Sequence, residues 1–330
     1  MVDKIEDEFD DKLLDLFWQF ITERQQVWHR RVIEEKPSPW TDNEILKQNR
    51  FTNVYRQLDP GTQYVIQNIL EADAPREDKI FNVMMYRLIG RLETHEDLGF
   101  QSLDSFNAET FEEELKYRRD EKGETVFTGA YMVAGYSQMG SSDKVENVST
   151  LFGRISSGIE YFNDLISANS AEDAYNLIRS QPGFGNFLSY QVLVDLLYPV
   201  DYYGGESVLP FSVNNWSSPG PGAQKGLKRL IGDFNEFDRL EVMRWLQQNQ
   251  DQEFDRLNLD FPYLMAEDGE DVRLSLADIQ NCLCEFYKYH KILNSDGRAR
   301  RRFRDSEARS AQELRSIYES APSFSIKKTR

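Results

Sequence analysis

The chain has 330 residues, a mass of 38.6 kDa and a formal net charge of −17 at pH 7. Hydrophobic residues make up 40% and aromatic residues 13% of the chain, which excludes an intrinsically disordered protein. The mean hydropathy of −0.63 and the lack of an apolar run of about 20 residues exclude a membrane-spanning helix. The N-terminus carries no secretory signal, and the two cysteines, Cys282 and Cys284, suit a reducing compartment. We therefore expect a cytoplasmic protein.

The acidic surplus bears directly on nucleic-acid binding, because a DNA-binding protein usually has a basic surplus. Two basic clusters nevertheless stand apart, at His29 to Arg31 and at Arg298 to Arg304. These clusters can contact a polyanion locally, or they are ordinary basic helix ends on a solvated acidic surface. No set of cysteines and histidines has the spacing of zinc ligands, and we expect neither a metal nor a cofactor.

Hydrophobic periodicity predicts helices along most of the chain, and strand-like alternation is scarce. An amphipathic helix is expected over 8–35 and ends before Pro37 and Pro39. Further helices are predicted over 42–57, 61–71, 108–121, 151–167, 170–180, 186–198, 223–232, 237–249, 275–293 and 298–319. The fold class predicted from this pattern is all-α.

A glycine-rich turn separates two of these helices near the centre of the chain. Pro182 cannot continue the first helix, and Gly183 and Gly185 permit the positive φ angles of a tight turn. Phe184 can fill the angle between the helices, and Asn186 can cap the second helix. Backbone N–H groups at the start of a helix can bind phosphate. This hairpin therefore either binds the DNA backbone without sequence specificity or is only a turn between two helices.

Several segments occur in an order that resembles a known family. They are Trp18 to Arg31, Pro39 to Asp42, Phe51 to Asp59, Gly183 to Gly185, Tyr190 to Asp195, Trp216 to Ala223 and Cys284 to Tyr289. This order resembles the phage thymine-hypermodification proteins called α-glutamyl/putrescinyl thymine pyrophosphorylases, or amino acid:DNA transferases. The same helical unit occurs in 5-hydroxymethyluracil DNA kinases. The resemblance runs from about 10 to 292.

The resemblance implies a fold like that of the helix-hairpin-helix DNA glycosylases. It implies a single helical domain over 1–330, with a basic C-terminal helix over 298–319 as an appendage. The implied partners are DNA that contains a modified pyrimidine and a small amine co-substrate, in the cytoplasm of an infected host cell. The amine would replace pyrophosphate on the 5-methylene carbon of a uracil base. No Gly-x-x-x-x-Gly-Lys-[Ser/Thr] motif occurs in these 330 residues, which argues against kinase chemistry.

Asn53, Arg56 and Asp59 recur every three residues, so on a helix they form one polar stripe. For the implied reaction, Arg56 can hold the leaving phosphate, and Asp59 can act as a base or orient Arg56. Asn53 can read the edge of a uracil. The alternative is a hydrogen-bonded cluster that stabilises a neighbouring loop.

Other candidates follow from the resemblance and each has a structural alternative. Asp195 is a catalytic candidate because helix-hairpin-helix glycosylases place an aspartate after the hairpin, and a buried ion pair is the alternative. Arg30 and Arg31 can contact phosphate or only favour the end of their helix. Trp216 can stack on a base or be buried, and Lys225 can contact phosphate or be an exposed helix lysine.

The sequence is also compatible with two other functions. One is a helical DNA-binding module without catalysis, and the other is a DNA glycosylase that acts on modified bases. Lyase chemistry is not expected, because Phe187 stands where the lyase members of the glycosylase class place a lysine.

Overall fold

The computed structural model describes residues 5–232, 238–266, 269–297, 302–303 and 309–319. Backbone contacts divide the chain into two units. Unit 1 comprises Met1–Gln63 and Trp216–Arg330, and unit 2 comprises Tyr64–Asn215. The single domain over 1–330 stays a prediction. Of the basic helix predicted over 298–319, the segments 298–301 and 304–308 lie outside the described residues.

The described residues are mostly helical, which confirms the predicted all-α class. In chain order the helices are α1 (Asp11–Val32), α2 (Glu44–Gln48), α3 (Pro60–Val65), α4 (Arg76–Ile89), α5 (Leu92–Leu98), α6 (Ala108–Lys116), α7 (Lys144–Ser156), α8 (Ile159–Ile166), α9 (Ala171–Ser180), α10 (Asn186–Leu196), α11 (Pro221–Ile231), α12 (Arg239–Gln248), α13 (Gln250–Arg256), α14 (Leu276–Leu293) and α15 (Ala311–Glu319). Two-residue strands, β1 (Leu264–Met265) and β2 (Asp271–Val272), pair antiparallel. No helix in the described part of the chain is both long and apolar enough to cross a membrane.

Helix α1 is the central element of the hydrophobic core of unit 1. Asp10 caps it by accepting a hydrogen bond from the backbone N–H of Leu13 at 3.1 Å. Its apolar face packs edge-to-face on aromatic residues that lie far along the chain: Phe17 meets Phe286 with ring centroids 5.4 Å apart, and Trp18 meets Phe254 at 5.1 Å. These contacts bring the two sequence segments of unit 1 into one core.

Helices α11 and α14 approach each other closely because two glycines of α11 face α14. A Cβ atom added to Gly226 would lie 2.2 Å from the backbone oxygen of Leu283. A Cβ atom added to Gly222 would lie 2.3 Å from the Sγ atom of Cys284. The spacing of four residues places both glycines on one face of α11. The Gly-Pro-Gly-Ala segment that ends at Ala223 therefore has a packing role.

In unit 2, the turn 181–185 joins α9 to α10. Gly183 has a φ of +89°, as predicted, and an added Cβ would lie 2.8 Å from Leu151 and 3.0 Å from Tyr136. Gly185 differs from the prediction, because its φ is −78° and it is the backbone cap of α10. Asn186 is consequently the first residue of α10 and does not cap it with its side chain.

A buried ion pair connects α4 and α10 within unit 2. The guanidinium of Arg87 donates two hydrogen bonds to the carboxylate of Asp195, one through Nε and one through Nη2 at 2.6 Å. The Asp195 side chain is fully buried, and that of Arg87 is 13% exposed. The attraction of Asp195 raises the pKa of Arg87 above its usual value although burial opposes this shift. This geometry agrees with a buried ion pair, which is the alternative to a catalytic role for Asp195.

The close approach of α11 and α14 predicts the effect of Gly226→Ala. Helix propensity alone would make this change favourable by about 1 kcal/mol. The overlap with the Leu283 backbone reverses the sign, and we expect a loss of about 1–3 kcal/mol in the free energy of unfolding, measured by urea denaturation. Lys225→Ala, at an exposed position of the same helix, is the control and should change stability little. A gain in stability for Gly226→Ala would contradict the packing described.

The buried ion pair predicts that Asp195→Ala is strongly destabilising, because it leaves the Arg87 charge buried without its carboxylate. We expect a loss of about 3–5 kcal/mol in the free energy of unfolding. The double variant Arg87→Leu/Asp195→Leu should recover most of this loss, because neither charge is then buried. Asp201→Asn, at an exposed position of the same unit, is the control. Near-normal stability for Asp195→Ala would contradict the structural role.

Candidate active site

Side chains of α14 hold the backbone of 50–56 within unit 1, a segment that is irregular up to the 3₁₀ turn that begins at Arg56. Four side chains of α14 make polar contacts with this segment. Glu285 accepts from the N–H of Thr52 at 3.0 Å, Asn281 donates to the C=O of Asn53 at 2.9 Å, Asp278 accepts from the N–H of Arg56 at 2.8 Å, and Lys288 donates to the C=O of Arg50. These bonds replace the ones that a sheet or helix would provide, so this irregular backbone is stable although it is partly buried.

The prediction that Asn53, Arg56 and Asp59 lie on one helix is therefore wrong. Asn53 and Asp59 nevertheless contact each other. Helix α2 ends at Gln48, and only a short 3₁₀ turn, Arg56–Leu58, follows before α3. Asn53 precedes that turn and Asp59 ends it. The turn folds the chain so that the backbone N–H and the Nδ2 atom of Asn53 both donate to Asp59 Oδ1, each at 3.1 Å. We call Arg24, Asn53, Arg56 and Asp59 the carboxylate cluster.

Asn53 positions the carboxylate of Asp59. The second N–H of its amide donates to the C=O of Leu58 at 2.9 Å, and Arg24 donates to its Oδ1 atom at 2.8 Å. Both amide hydrogens are thus engaged inside the protein, and the residue is only 8% exposed. This arrangement favours a positioning role for Asn53 over the predicted reading of a uracil edge.

The carboxylate of Asp59 has an unusual acidity. Burial raises its pKa to about 6, against the hydrogen bond from Asn53 and the positive charges of Arg56 and Arg24, which lower it. Burial also raises the pKa of Asp278, although Ser275 and the Arg56 backbone donate to it. A carboxylate with a pKa near 6 is ionised at neutral pH and still accepts a proton readily, which suits a general base.

Two cysteines lie beside the cluster on α14. Burial raises the pKa of Cys284 to about 11 and that of Cys282 well above its usual value. Both therefore stay protonated at neutral pH, which disfavours them as nucleophiles. Among the described residues, no group of three or more His, Cys, Asp or Glu side chains is arranged to hold a metal ion.

The remaining candidates of unit 1 lie in defined environments. Arg30 donates to the C=O of Trp40 at 2.7 Å and pairs with Glu23 at 3.5 Å. Arg31 stacks on the Trp40 ring, 4.8 Å from its centroid. Trp216 is half-buried, and Lys225 is exposed with its Nζ atom 5.4 Å from the centroid of the Tyr287 ring. Contact of these four residues with substrate stays a prediction.

The candidates of unit 2 lie at the hairpin and behind it. Arg179 is exposed beside the start of α10, and its Nη1 atom donates to Asn186 Oδ1 at 3.4 Å. Gly185 is open, because an added Cβ would meet no atom within 4 Å. Gly183 is enclosed by Leu151 and Tyr136, and the Asp195 carboxylate forms an ion pair with Arg87.

Sequence reasoning missed Arg24 and assigned no site role to Asp278 and Asn281. The signal for the α14 residues was present, because Asp278, Asn281, Glu285 and Lys288 follow one another at intervals of three or four and so share one face of the helix. Arg24 gave no such signal, since its contact with Asn53 spans 29 residues.

Comparisons with known proteins agree with the resemblance to the kinase helical unit. The family model described as "5-hmdU DNA kinase, helical domain" matches residues 11–298. A "5-hmdU DNA kinase" of Bacillus phage SP10 is 32% identical over 298 residues, which cover 84% of this chain and 45% of that protein. The chain thus spans less than half the length of this relative. No solved structure shows significant similarity to the chain. By its match over most of its length, the chain belongs to the family of 5-hmdU DNA kinase helical domains.

Proposed function

We propose that the protein acts on DNA that contains 5-hydroxymethyluracil or a base made from it, as an amine transferase. The amine nitrogen attacks the 5-methylene carbon of a pyrophosphorylated base, the carbon–oxygen bond breaks, and pyrophosphate leaves with the electron pair. The amine must lose a proton to free its lone pair, and that proton passes to a carboxylate. The observation that carries this proposal is the half-buried Asp59, whose pKa lies at about 6.

The family supports the choice of substrate. The related phage protein is described as a kinase of 5-hmdU in DNA, and the shared region is its helical domain. The carboxylate cluster supports the choice of reaction, because a base must lie near groups that offset the charge of the leaving pyrophosphate. Arg24 and Arg56 both lower the pKa of Asp59 by their charge, so both lie close enough to act on a neighbouring anion as well.

We further propose that the turn 181–185 contacts a DNA phosphate, as the hairpins of helix-hairpin-helix glycosylases do. Three features of unit 2 support this role. Gly185 leaves room for a phosphate at the start of α10, Arg179 is exposed beside it, and α10 has 11 residues and so a helix dipole of useful size. A phosphate contact at this turn would let a chain of net charge −17 bind DNA locally.

A second candidate function is a helical DNA-binding module without catalysis. The observation in its favour is that the family match covers the helical domain of a kinase, while these 330 residues lack a phosphate-binding loop motif. This candidate requires DNA binding that survives the loss of Arg56 and Asp59.

The raised pKa of Asp59 predicts that Asp59→Asn stabilises the protein at alkaline pH. The folded pKa of about 6 exceeds the ordinary value of 3.8, so the folded state binds more protons and loses stability as the pH rises through 6. Asparagine removes this ionisation, and we expect a gain of about 1–3 kcal/mol at pH 8. The gain should vanish below about pH 3, where the carboxyl is protonated in both states. Urea denaturation at the two pH values, with Asp255→Asn as an exposed control, measures the effect. A loss of stability at pH 8 would contradict the pKa shift.

The transfer itself is tested on duplex DNA that carries pyrophosphorylated 5-hydroxymethyluracil. Incubation with a mixture of amino acids and polyamines, followed by mass spectrometry of the nucleosides, should reveal an amine-substituted base. The rate should fall as the pH drops through about 6, because protonated Asp59 is no base. Asp59→Asn should slow transfer about 10²- to 10⁴-fold, and Asp255→Asn should not.

Other outcomes of the same assay separate the alternatives. Unchanged nucleosides with every natural amino acid and polyamine would reject the transferase. Retained binding of that DNA by Arg56→Ala and Asp59→Ala would then support the DNA-binding module. Abasic sites in place of a substituted base would instead indicate a glycosylase.

A further inference from the structure

The most exposed large apolar side chain among the described residues is that of Met132, in the loop 125–142 that precedes α7 in unit 2. Met132 is 91% exposed, whereas Val133 after it is 8% exposed and Tyr131 before it is half-buried. Single exposed apolar side chains are common on protein surfaces. Exposure alone therefore assigns no role to Met132.

Contacts at both neighbours of Met132 anchor the loop. The hydroxyl of Tyr131 donates to the C=O of Arg87 in α4. The C=O of Val133 accepts a hydrogen bond from the Nζ atom of Lys144, at the start of α7, at 2.8 Å. The backbone is thus held on both sides of Met132, so the exposed side chain projects from a defined position.

The loop also packs on the turn 181–185 and on the start of α10. Tyr131 lies edge-to-face on Phe187, with ring centroids 5.4 Å apart. The hydroxyl of Tyr136 donates to the C=O of Gly183 at 3.4 Å. Phe187 is 45% exposed, so a second apolar side chain reaches solvent beside the loop.

The surface formed by residues 125–142 and 181–187, which we call the loop–hairpin surface, is uncharged. Neither segment contains an aspartate, glutamate, lysine or arginine, and Arg179 lies just before the second one. Unit 2 as a whole has more than twice as many acidic as basic residues. Such a unit repels a polyanion over most of its surface, and carboxylates are absent from these two segments. The loop–hairpin surface therefore suits nucleic acid better than the rest of unit 2 does.

A protein partner fits this surface less well than DNA does. A stable protein interface buries about 800 Å² on each partner, which is more than two exposed side chains cover. DNA offers a site for a single apolar side chain, because proteins that distort DNA insert one methionine, leucine or phenylalanine between two stacked bases. Methionine is unbranched and flexible, and its sulfur is polarisable, so it adapts to the flat gap between two bases.

We propose that Met132 inserts between two stacked bases of duplex DNA bound at the loop–hairpin surface and so unstacks a neighbouring base. The inference rests on the proposed DNA binding and adds to it a residue that opens the stack. Insertion removes from water the apolar side chain that the free protein exposes, which offsets part of the cost of unstacking. An anchored loop also loses little conformational freedom when its side chain inserts, which favours binding.

Fluorescence of 2-aminopurine tests the insertion, because this base is quenched while it is stacked. The probe is a duplex that carries 5-hydroxymethyluracil beside 2-aminopurine, and the whole protein is added to saturation. Fluorescence should rise severalfold on binding. Met132→Ala should remove most of this rise, and Met132→Leu, which keeps a long apolar side chain, should retain it. The position is 91% exposed, so neither change should lower the Tm.

Affinity measurements with the same DNA supply the controls. Met132→Ala should weaken duplex binding about 3- to 10-fold and affect binding of a single strand of the same sequence much less. Arg179→Ala should weaken binding of both forms and leave the fluorescence of the bound duplex unchanged, because it removes only a phosphate contact. Ile159→Ala removes an exposed apolar side chain of unit 2 outside the loop–hairpin surface and should change neither readout.

Four results would overturn the inference. A bound duplex whose 2-aminopurine stays quenched would reject the insertion and leave DNA binding standing. An equal rise in fluorescence with Met132→Ala would reject the role of Met132. Self-association of the protein that Met132→Ala abolishes would make the loop–hairpin surface an interface between two copies. Failure to bind either the duplex or the single strand would reject the proposed function together with the inference.

Discussion

The close approach of α11 to α14 is the constraint on which the candidate site depends. Gly226 lets the backbone of Leu283 come within a distance that no side chain permits, and Gly222 leaves room for the Sγ atom of Cys284. Helix α14 is thereby fixed in the core of unit 1. Its polar face then supplies Asp278, which holds the backbone of the site segment. The position of the Asp278 carboxylate on α14 thus depends on the absence of side chains at two positions of α11.

Local sequence signals predicted the elements that local forces stabilise. The helix predicted over 275–293 is observed as Leu276–Leu293, because its apolar period and its Ser275 cap both lie within the segment. The helix predicted over 42–57 is observed only as Glu44–Gln48. The contacts that hold the irregular backbone of 50–56 come from residues more than 220 positions away, and no local pattern contains that information.

The turns show the same limit at the level of single residues. Two glycines of the hairpin looked equivalent, and only Gly183 has a positive φ. Their surroundings also differ, because Tyr136 and Leu151 enclose Gly183 and leave Gly185 open. The spacing predicts Asn53, Arg56 and Asp59 as one polar stripe on a helix, yet a 3₁₀ turn lies between Asn53 and Asp59. Composition and spacing identified which residues meet, and the tertiary contacts decided how.

The acidity of Asp59 results from a balance between burial and hydrogen bonding. Each donor to a carboxylate lowers its pKa, and several donors together would leave it too weak a base to accept a proton near neutral pH. Here Arg24 donates to Asn53 Oδ1, and the backbone N–H and the amide of Asn53 donate to Asp59. The amide is a neutral donor, so it orients the carboxylate with a smaller effect on its basicity than a direct bond from a charged group has. Burial then outweighs the remaining attraction and sets the pKa at about 6. An asparagine between an arginine and a carboxylate can therefore keep the carboxylate both oriented and basic.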